Sequence, residues 1–378
     1  MELNSYFTDF LQEIRPTDKQ KEQFRAAHSE LREKLNKDDV LSPIIVSDFL
    51  QGSYRRATAI RPSQGCKADV DVILVTKLSD EEFTPDEAMQ KFVPFLDEHY
   101  KDSYEFQSRS IGIESKGVDL DLVITAAPSE KEIGILKSDA VTTDDSPEEV
   151  DDWRLVKSWL SRAHRVGANS AALLLEAARE AEWKLSPLLI PDRDRKKWER
   201  THPLAQIKWT WDKNKACGGH YVNVVKALKW WRRVRHPEVK HPKGYPLEHL
   251  IGACCPDGIT SLAEGVTQSL EAIVRRYESY ARVKQTPSLW DHGVPEHNVL
   301  HRVSGEDFSI FLSQVKDAAQ IARRALDADT VGESAEAWQE LFGDVFPKAP
   351  GGDGDKSSGK GGYTKRTAVS SIGGGRWG

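Results

Sequence analysis

Cysteine is scarce. There are four in 378 residues, Cys66, Cys217, Cys254 and Cys255, and no C-x-x-C spacing occurs. A disulfide framework is therefore excluded, and free thiols in a reducing, cytoplasmic compartment are expected. Long apolar runs are missing too, so no segment is expected to span a membrane. The opening residues, MELNSYFTDF, carry neither a basic n-region nor an apolar h-region, and no secretory signal is expected. An excess of positive charge is also lacking. The net charge of −6 argues against tight non-specific binding to RNA or DNA, so no obligatory nucleic-acid partner is expected. No internal repeat is visible.

What is present fits a folded protein. Apolar residues make up 39% and charged residues 30%, and the length allows two domains or one large one. The most informative stretch runs from Leu50 to Thr76, LQGSYRRATAIRPSQGCKADVDVILVT. A Gly52-Ser53 turn follows an apolar run. Past a loop comes a strand with Asp69 and Asp71 one residue apart. Strand side chains alternate, so the two carboxylates share one face while Val70 and Val72 point into a core. Like charges side by side in an interior-type strand call for a cation, and hard oxygen ligands suit Mg²⁺. The plainer reading, a polar strand face meeting water, fits less well beside the apolar ILVT.

The pattern repeats downstream. After Gly117, VDLDLVIT alternates again, with Asp119 and Asp121 on one face and Val118, Leu120 and Leu122 on the other. A third carboxylate from a second strand suggests a metal cradle. Two divalent ions there would stabilise the entering and leaving oxygens of an in-line displacement. Gly52 would let backbone amides approach a phosphate, with the Ser53 hydroxyl as a further donor.

The rest of the chain reads mostly as helix. Tyr6, Phe7, Phe10, Leu11 and Ile14 mark a first helix. Thr17 to Gln20 fits a capping box opening a second, with Phe24, Ala27, Leu31 and Leu35 on its apolar face. Thr84 to Tyr100 reads as one helix and EFQSRSIGIES as one strand. Residues 129–191 read as a helical insertion packed on the sheet. PDRDRKKWERTHP, bracketed by Pro191 and Pro203, reads as a loop. Residues 205–347 read as all-helical, centred on HYVNVVKALKWWRRVRHP. His249 followed by Cys254-Cys255 allows a zinc site, but LEHLIGACC reads more simply as a helix burying small thiols. Residues 348–378, rich in Gly, Ser, Lys and Asp, are expected to be disordered.

The string GS…DVDV…DLVIT resembles the polymerase-β-type nucleotidyltransferase superfamily. More narrowly, it resembles the bacterial cyclic-oligonucleotide synthases of antiphage (CBASS) systems, which are related to cGAS and oligoadenylate synthase. VVKALKWWRR is similar to the family's helix with a lysine before an aromatic residue, YPLEHL to its S-Y-x-L-E element, and AEAWQELFGDVFP to the end of its helical half.

The resemblance implies an α+β fold: a mixed-sheet nucleotidyltransferase core over 1–204 with bracing N-terminal helices, a helical domain over 205–347 and a tail over 348–378. It implies Asp69, Asp71 and Asp121 as catalytic metal ligands for two Mg²⁺. Asp119 competes with Asp121 as the third ligand, and Lys226 could substitute for Lys229. Gln51, Gly52, Ser53 and Lys229 are implied to hold the triphosphate, with Tyr245 stacking on a base or packing in the core. Gly244 stands where the family often has a triphosphate-contacting serine. The gap between Ser53 and Asp69 is long, so Arg55, Arg56 and Lys67 are expected to line an enlarged loop near the phosphates. The implied reaction condenses ATP, with or without GTP, into a cyclic di- or trinucleotide messenger that switches on an effector. The implied alternative is linear oligoadenylate synthesis or nucleotidylation of a small molecule or protein. A ubiquitin-transfer-like enzyme acting on Gly378 is a further implied partner.

Overall fold

The computed structural model describes residues 1–63, 67–126, 187–239 and 241–350. A five-stranded mixed sheet is built from β1 (Ile45–Gln51), β2 (Ala68–Thr76), β3 (Tyr104–Phe106), β4 (Ile111–Ser115) and β5 (Val118–Thr125), in the order β1-β2-β5-β4-β3. β2 and β5 run parallel at the centre; their neighbours are antiparallel. Helix α1 spans Asn4–Ile14 and α2 spans Asp18–Lys37. The α2 start is the expected capping box, with Thr17 and Gln20 bonding each other's backbone. Phe24, Ala27, Leu31 and Leu35 of α2 bury against Val70, Val72, Leu120 and Leu122 of the two central strands.

Three elements differ from the sequence reading. The segment 84–100 is two helices, α4 (Pro85–Gln90) and α5 (Val93–His99), after the short α3 (Gly52–Arg55). Pro94 has no N–H to give the Gln90 carbonyl, and its ring crowds that carbonyl, so one continuous helix is impossible. The segment 105–115 is a hairpin rather than one strand, because Gln107 N–H turns back to the Ser110 carbonyl at 2.9 Å. The segment 188–201, read as the end of the helical insertion and a loop from Pro191, is a two-stranded hairpin of β6 (Leu188–Asp192) and β7 (Lys197–Thr201). Its charge hid the alternation of KWERT. Pro191, opposite Trp198, is tolerated in so small a ladder, where the sheet edge needs no donor.

The other face of the sheet is divided along its length. Ile73, Val75 and Val123 are covered by Leu188 of the hairpin. Two and four residues earlier on the same face stand the aspartates, outside this apolar cluster of the described residues.

A second core is helical. It is formed by α6 (Pro203–Ala216), α7 (Tyr221–Arg235), α8 (Tyr245–Cys254), α9 (Leu262–Arg282), α10 (Gly305–Asp327) and α11 (Val331–Phe342). Although α1 opens the chain, it packs here, not on the sheet. Phe7 meets Trp338 edge-on at 5.0 Å, and Phe10 stacks on Phe342 at 4.6 Å. Arg235 caps the far end of α11, donating to the Leu341 and Gln339 carbonyls. No helix among the described residues is long and apolar enough to cross a membrane. The expected insertion over 129–186 and the tail from 351, including Gly378, lie outside the described residues.

Candidate active site

Strand register assembles the acidic wall. In the parallel β2–β5 ladder Asp71 pairs with Asp121, and Asp69 with Asp119. Side chains of paired residues stand side by side, so four carboxylates share one face within two rungs. The Asp71–Asp121 rung continues to Gln51 on β1 and Gly112 on β4. The next rung continues from Asp119 to Glu114. A cavity of about 610 Å³ opens against this wall, lined by Asp69, Asp119 and Asp121 with Glu105 and Glu114.

The carboxylates are not equivalent. Asp119 is exposed and lies 3.6 Å from the Lys67 ammonium, which also pairs with Glu114. Lys67 thus neutralises the outer rung. Asp121 is half-buried and hydrogen-bonded by Ser110 and Gln107; burial and then Asp69 raise it to about 6. Burial, Asp69 and Asp121 push Asp71 to about 7. Asp69 reaches solvent along the cleft, yet burial of its carboxyl and the nearby Asp119 raise it as well. Three neighbouring carboxyls driven toward their neutral forms are an electrostatic debt that a cation discharges.

A divalent ion fits this donor set: hard oxygens, no soft ligand, and a wall with uncompensated negative charge. Among the described residues, no group of three such side chains already converges on one point. The ladder nevertheless fixes their Cα atoms on adjacent rungs, so rotation about side-chain bonds is enough to bring Asp69, Asp71 and Asp121 together. Gly52 confirms the crowding. Its φ is +72°, and a Cβ added there would lie 1.7 Å from Asp71 Oδ2. Only glycine lets the backbone of this turn pass so close to the acidic wall.

The opposite wall is cationic and comes from the helical core. Lys229 of α7 donates to the Thr58 carbonyl at 3.0 Å and to Glu248 Oε1 at 2.9 Å. Its charge reaches Asp69. Lys226, one turn earlier on α7, is buried. Arg56, expected in a loop near phosphates, is instead buried and bonded through Nε to Glu248 Oε2 at 3.2 Å. Its guanidinium lies 5.0 Å from the Tyr245 ring centre, so one face of Tyr245 is occupied by an arginine. Gly244 caps α8 with φ +58° and no side chain, so no hydroxyl stands at that position. Trp231 is core, and Trp230 donates to the Phe342 carbonyl.

Glu248 is the glutamate of the YPLEHL element that sequence reasoning matched to the family's S-Y-x-L-E pattern, but that reading gave the carboxylate no role. The available signal was a lone carboxylate inside the apolar run YPLEHLIGA, which cannot be buried without cationic partners. Among the described residues His249, Cys254 and Cys255 do not belong to any group of three side chains placed to hold a metal ion, and each has other neighbours. The His249 ring stacks on His292 at 3.8 Å, while Cys255 lies 3.8 Å from Cys217 and Cys254 packs in the helical core.

Comparison with known proteins places this geometry. Residues 1–131 match the Second Messenger Oligonucleotide or Dinucleotide Synthetase domain family. A protein of Salmonella paratyphi B described as a probable cyclic AMP-AMP-GMP nucleotide synthase is 48% identical, with 97% of each chain covered. A cyclic AMP-AMP-GMP synthase of Enterobacter hormaechei subsp. hoffmannii is 46% identical, covering 95% of this chain and 96% of that one. In structure, the Bradyrhizobium diazoefficiens CD-NTase CdnG in complex with GTP superposes with a TM-score of 0.63 at 12% identity, covering 90% and 96% of the two chains. This likeness carries the α+β, polymerase-β-like fold. The chain therefore belongs to the bacterial CD-NTases, metal-dependent nucleotidyltransferases of CBASS type, and is an enzyme that makes cyclic oligonucleotides.

Proposed function

We propose that the enzyme joins two ATP and one GTP into cyclic AMP-AMP-GMP, as in the names of its relatives at 48% and 46% identity. Each of the three bonds forms by attack of a ribose hydroxyl on an α-phosphorus, with pyrophosphate leaving and the hydroxyl proton passing to solvent. The product is read as a messenger that switches on an antiphage effector.

The observation that carries the site assignment is the Asp71–Asp121 rung beside Gly52. Asp69 and Asp71 are assigned to hold two Mg²⁺, with Asp121 on the one nearer the attacking hydroxyl. When bound, these ions neutralise polyphosphate charge and lower the pKa of that hydroxyl. Gln51, Gly52 and Ser53 bring polar groups of the turn to the triphosphate, and Lys229 faces it from the helical side. Tyr245 offers its other face to a nucleobase. On this reading the cleft lies between a core over 1–204 and a helical domain over 205–347, and the tail over 348–378, with Gly378 as substrate of a ubiquitin-transfer-like enzyme, takes no part in the chemistry.

The test is incubation of the full chain with Mg²⁺, ATP and GTP, followed by mass spectrometry and phosphatase challenge. A phosphatase-resistant cyclic trinucleotide with two adenines and one guanine is expected. A phosphatase-sensitive oligoadenylate would overturn the reading, as would nucleotide turnover by the Asp69→Asn, Asp71→Asn double variant.

A further inference from the structure

Glu248 stands where two distant parts of the chain meet. It is 4% exposed and carries a full set of partners. Oε1 accepts from Lys229 Nζ at 2.9 Å; Oε2 accepts from Thr58 Oγ1 at 2.8 Å and Arg56 Nε at 3.2 Å. The Glu248 carbonyl also accepts from Tyr221 at 3.1 Å, which ties α8 to α7 beneath the carboxylate. The carboxyl lies well below the usual range, at about 2: burial opposes this, and Lys229 and Arg56 override it.

The partners are the segment that carries the Gly52-Ser53 turn. The Ser53 carbonyl accepts from the Thr58 and Ala59 amides at 2.9 and 3.1 Å, and the Gly52 carbonyl from the Arg56 amide at 3.0 Å. Between Arg56 and Thr58 sits Ala57, left-handed at φ +59° and buried in the helical core. This turn of the backbone aims both flanking side chains at one carboxylate oxygen. The Lys229 ammonium, anchored on Glu248 and the Thr58 carbonyl, retains a third proton for another acceptor.

Resting on the site assignment above, we infer that Glu248 is the positioning residue of the polyphosphate-binding wall: it sets the spacing between the Gly52-Ser53 turn and the Lys229 ammonium. It touches no substrate. It acts through Thr58, Arg56 and Lys229, and a displacement of about 1 Å in such a wall is enough to lower turnover by about 10²-fold.

The test compares full-length wild type with Glu248→Gln, Glu248→Asp, Lys229→Gln and the double variant carrying both Glu248→Gln and Lys229→Gln. The readouts are kcat and KM for ATP from pyrophosphate release, affinity for a non-hydrolysable ATP analogue, and thermal melting. Glu248→Gln is expected to bind the analogue more weakly and to lose about 10²-fold in kcat/KM. Glu248→Asp, which keeps the charge, should recover part of both. The double variant should be no worse than Lys229→Gln alone, because one effect runs through the other. Losses that multiply in the double variant, or parameters within about twofold of wild type in folded Glu248→Gln, overturn the inference. If Glu248→Gln does not fold, the same cycle with Glu248→Asp decides. An Asp71→Asn control separates the two levels: activity there sinks the site assignment, whereas a dead control beside normal Glu248 variants sinks only this inference.

Discussion

Gly52 and Asp71 are in contact so close that one methyl group does not fit between them: a Cβ at position 52 would lie 1.7 Å from Asp71 Oδ2. Gly52→Ala must therefore displace the carboxylate, and it also places a side chain at φ +72°, a strain of about 1–2 kcal/mol. The expected outcome is a folded protein, destabilised by about that amount, whose pyrophosphate release falls by at least about 10²-fold. Melting curves and initial rates on the same preparation check both parts.

The acidic wall makes metal-free stability depend on pH. Asp71 sits at about 7 when folded, against 3.8 for an ordinary aspartate, and Asp121 at about 6. Raised carboxyls contribute stability that is full below about pH 4 and is lost as pH rises through 6 to 7. Without divalent metal, melting temperature is thus expected to fall across this window through these groups. Glu248, held low, acts in the opposite sense but only below about 4.5. Asp71→Asn should flatten the fall. On the proposed assignment Mg²⁺ would bind the ionised wall, so its stabilisation should grow with pH over the same range and vanish in the Asn variant.

Asp121 and Asp119 are distinguished by their surroundings, not by their spacing in the sequence. Asp121 adjoins Asp71 and is desolvated; Asp119 is paired with Lys67 at the rim. Asp121→Asn should reduce turnover by at least about 10²-fold, while Asp119→Asn should stay within about tenfold of wild type. A larger loss for Asp119→Asn would reverse the assignment of the third ligand, and equal losses would undo the distinction.

Ala57 offers a stability contrast. Ala57→Gly removes a buried methyl, about 0.8 kcal/mol, and loosens the unfolded chain, but relieves a left-handed conformation worth about 1–2 kcal/mol. The three effects nearly cancel, and stability should change by less than about 1 kcal/mol. Ala227→Gly, in the middle of α7 with no strain to relieve, should cost about 1–2 kcal/mol. Urea titrations of the two variants measure the difference.

Much of the fold was legible because period-two and helical patterns are local. Both acidic strands, the Thr17 capping box and the apolar face of α2 follow from neighbouring residues alone. The breaks were harder. Pro94 splits a helix that its apolar spacing suggested was continuous, and the charged hairpin over 188–201 hid its alternation behind lysines and arginines. The acidic wall could be anticipated from D-x-D and DLD, yet its register could not: only pairing shows that Asp71 meets Asp121 and Asp69 meets Asp119. The ion network on Glu248 was out of reach for a different reason. Its partners lie 190 and 192 residues away for Thr58 and Arg56, and no short pattern encodes a contact over that distance.

The aromatic seat of α1 has a bearing on how the chain is made. Phe7 and Phe10 find their partners, Trp338, Phe342 and Phe346, only near the other end of the described chain, and the Ser334 hydroxyl closes on the Met1 carbonyl across 333 residues. During synthesis the sheet half can finish its own core early, while α1, which also packs on α7 and α9, waits longest for its aromatic partners. At about 5–20 residues per second that delay is tens of seconds. The seat of α1 thus stays incomplete until translation is almost done, and the pairing of Glu248 with Lys229, Arg56 and Thr58 likewise waits for the helical half. On the proposed assignment, a chain stopped short of α7 would hold the acidic wall without Lys229, and so without the means of making its messenger.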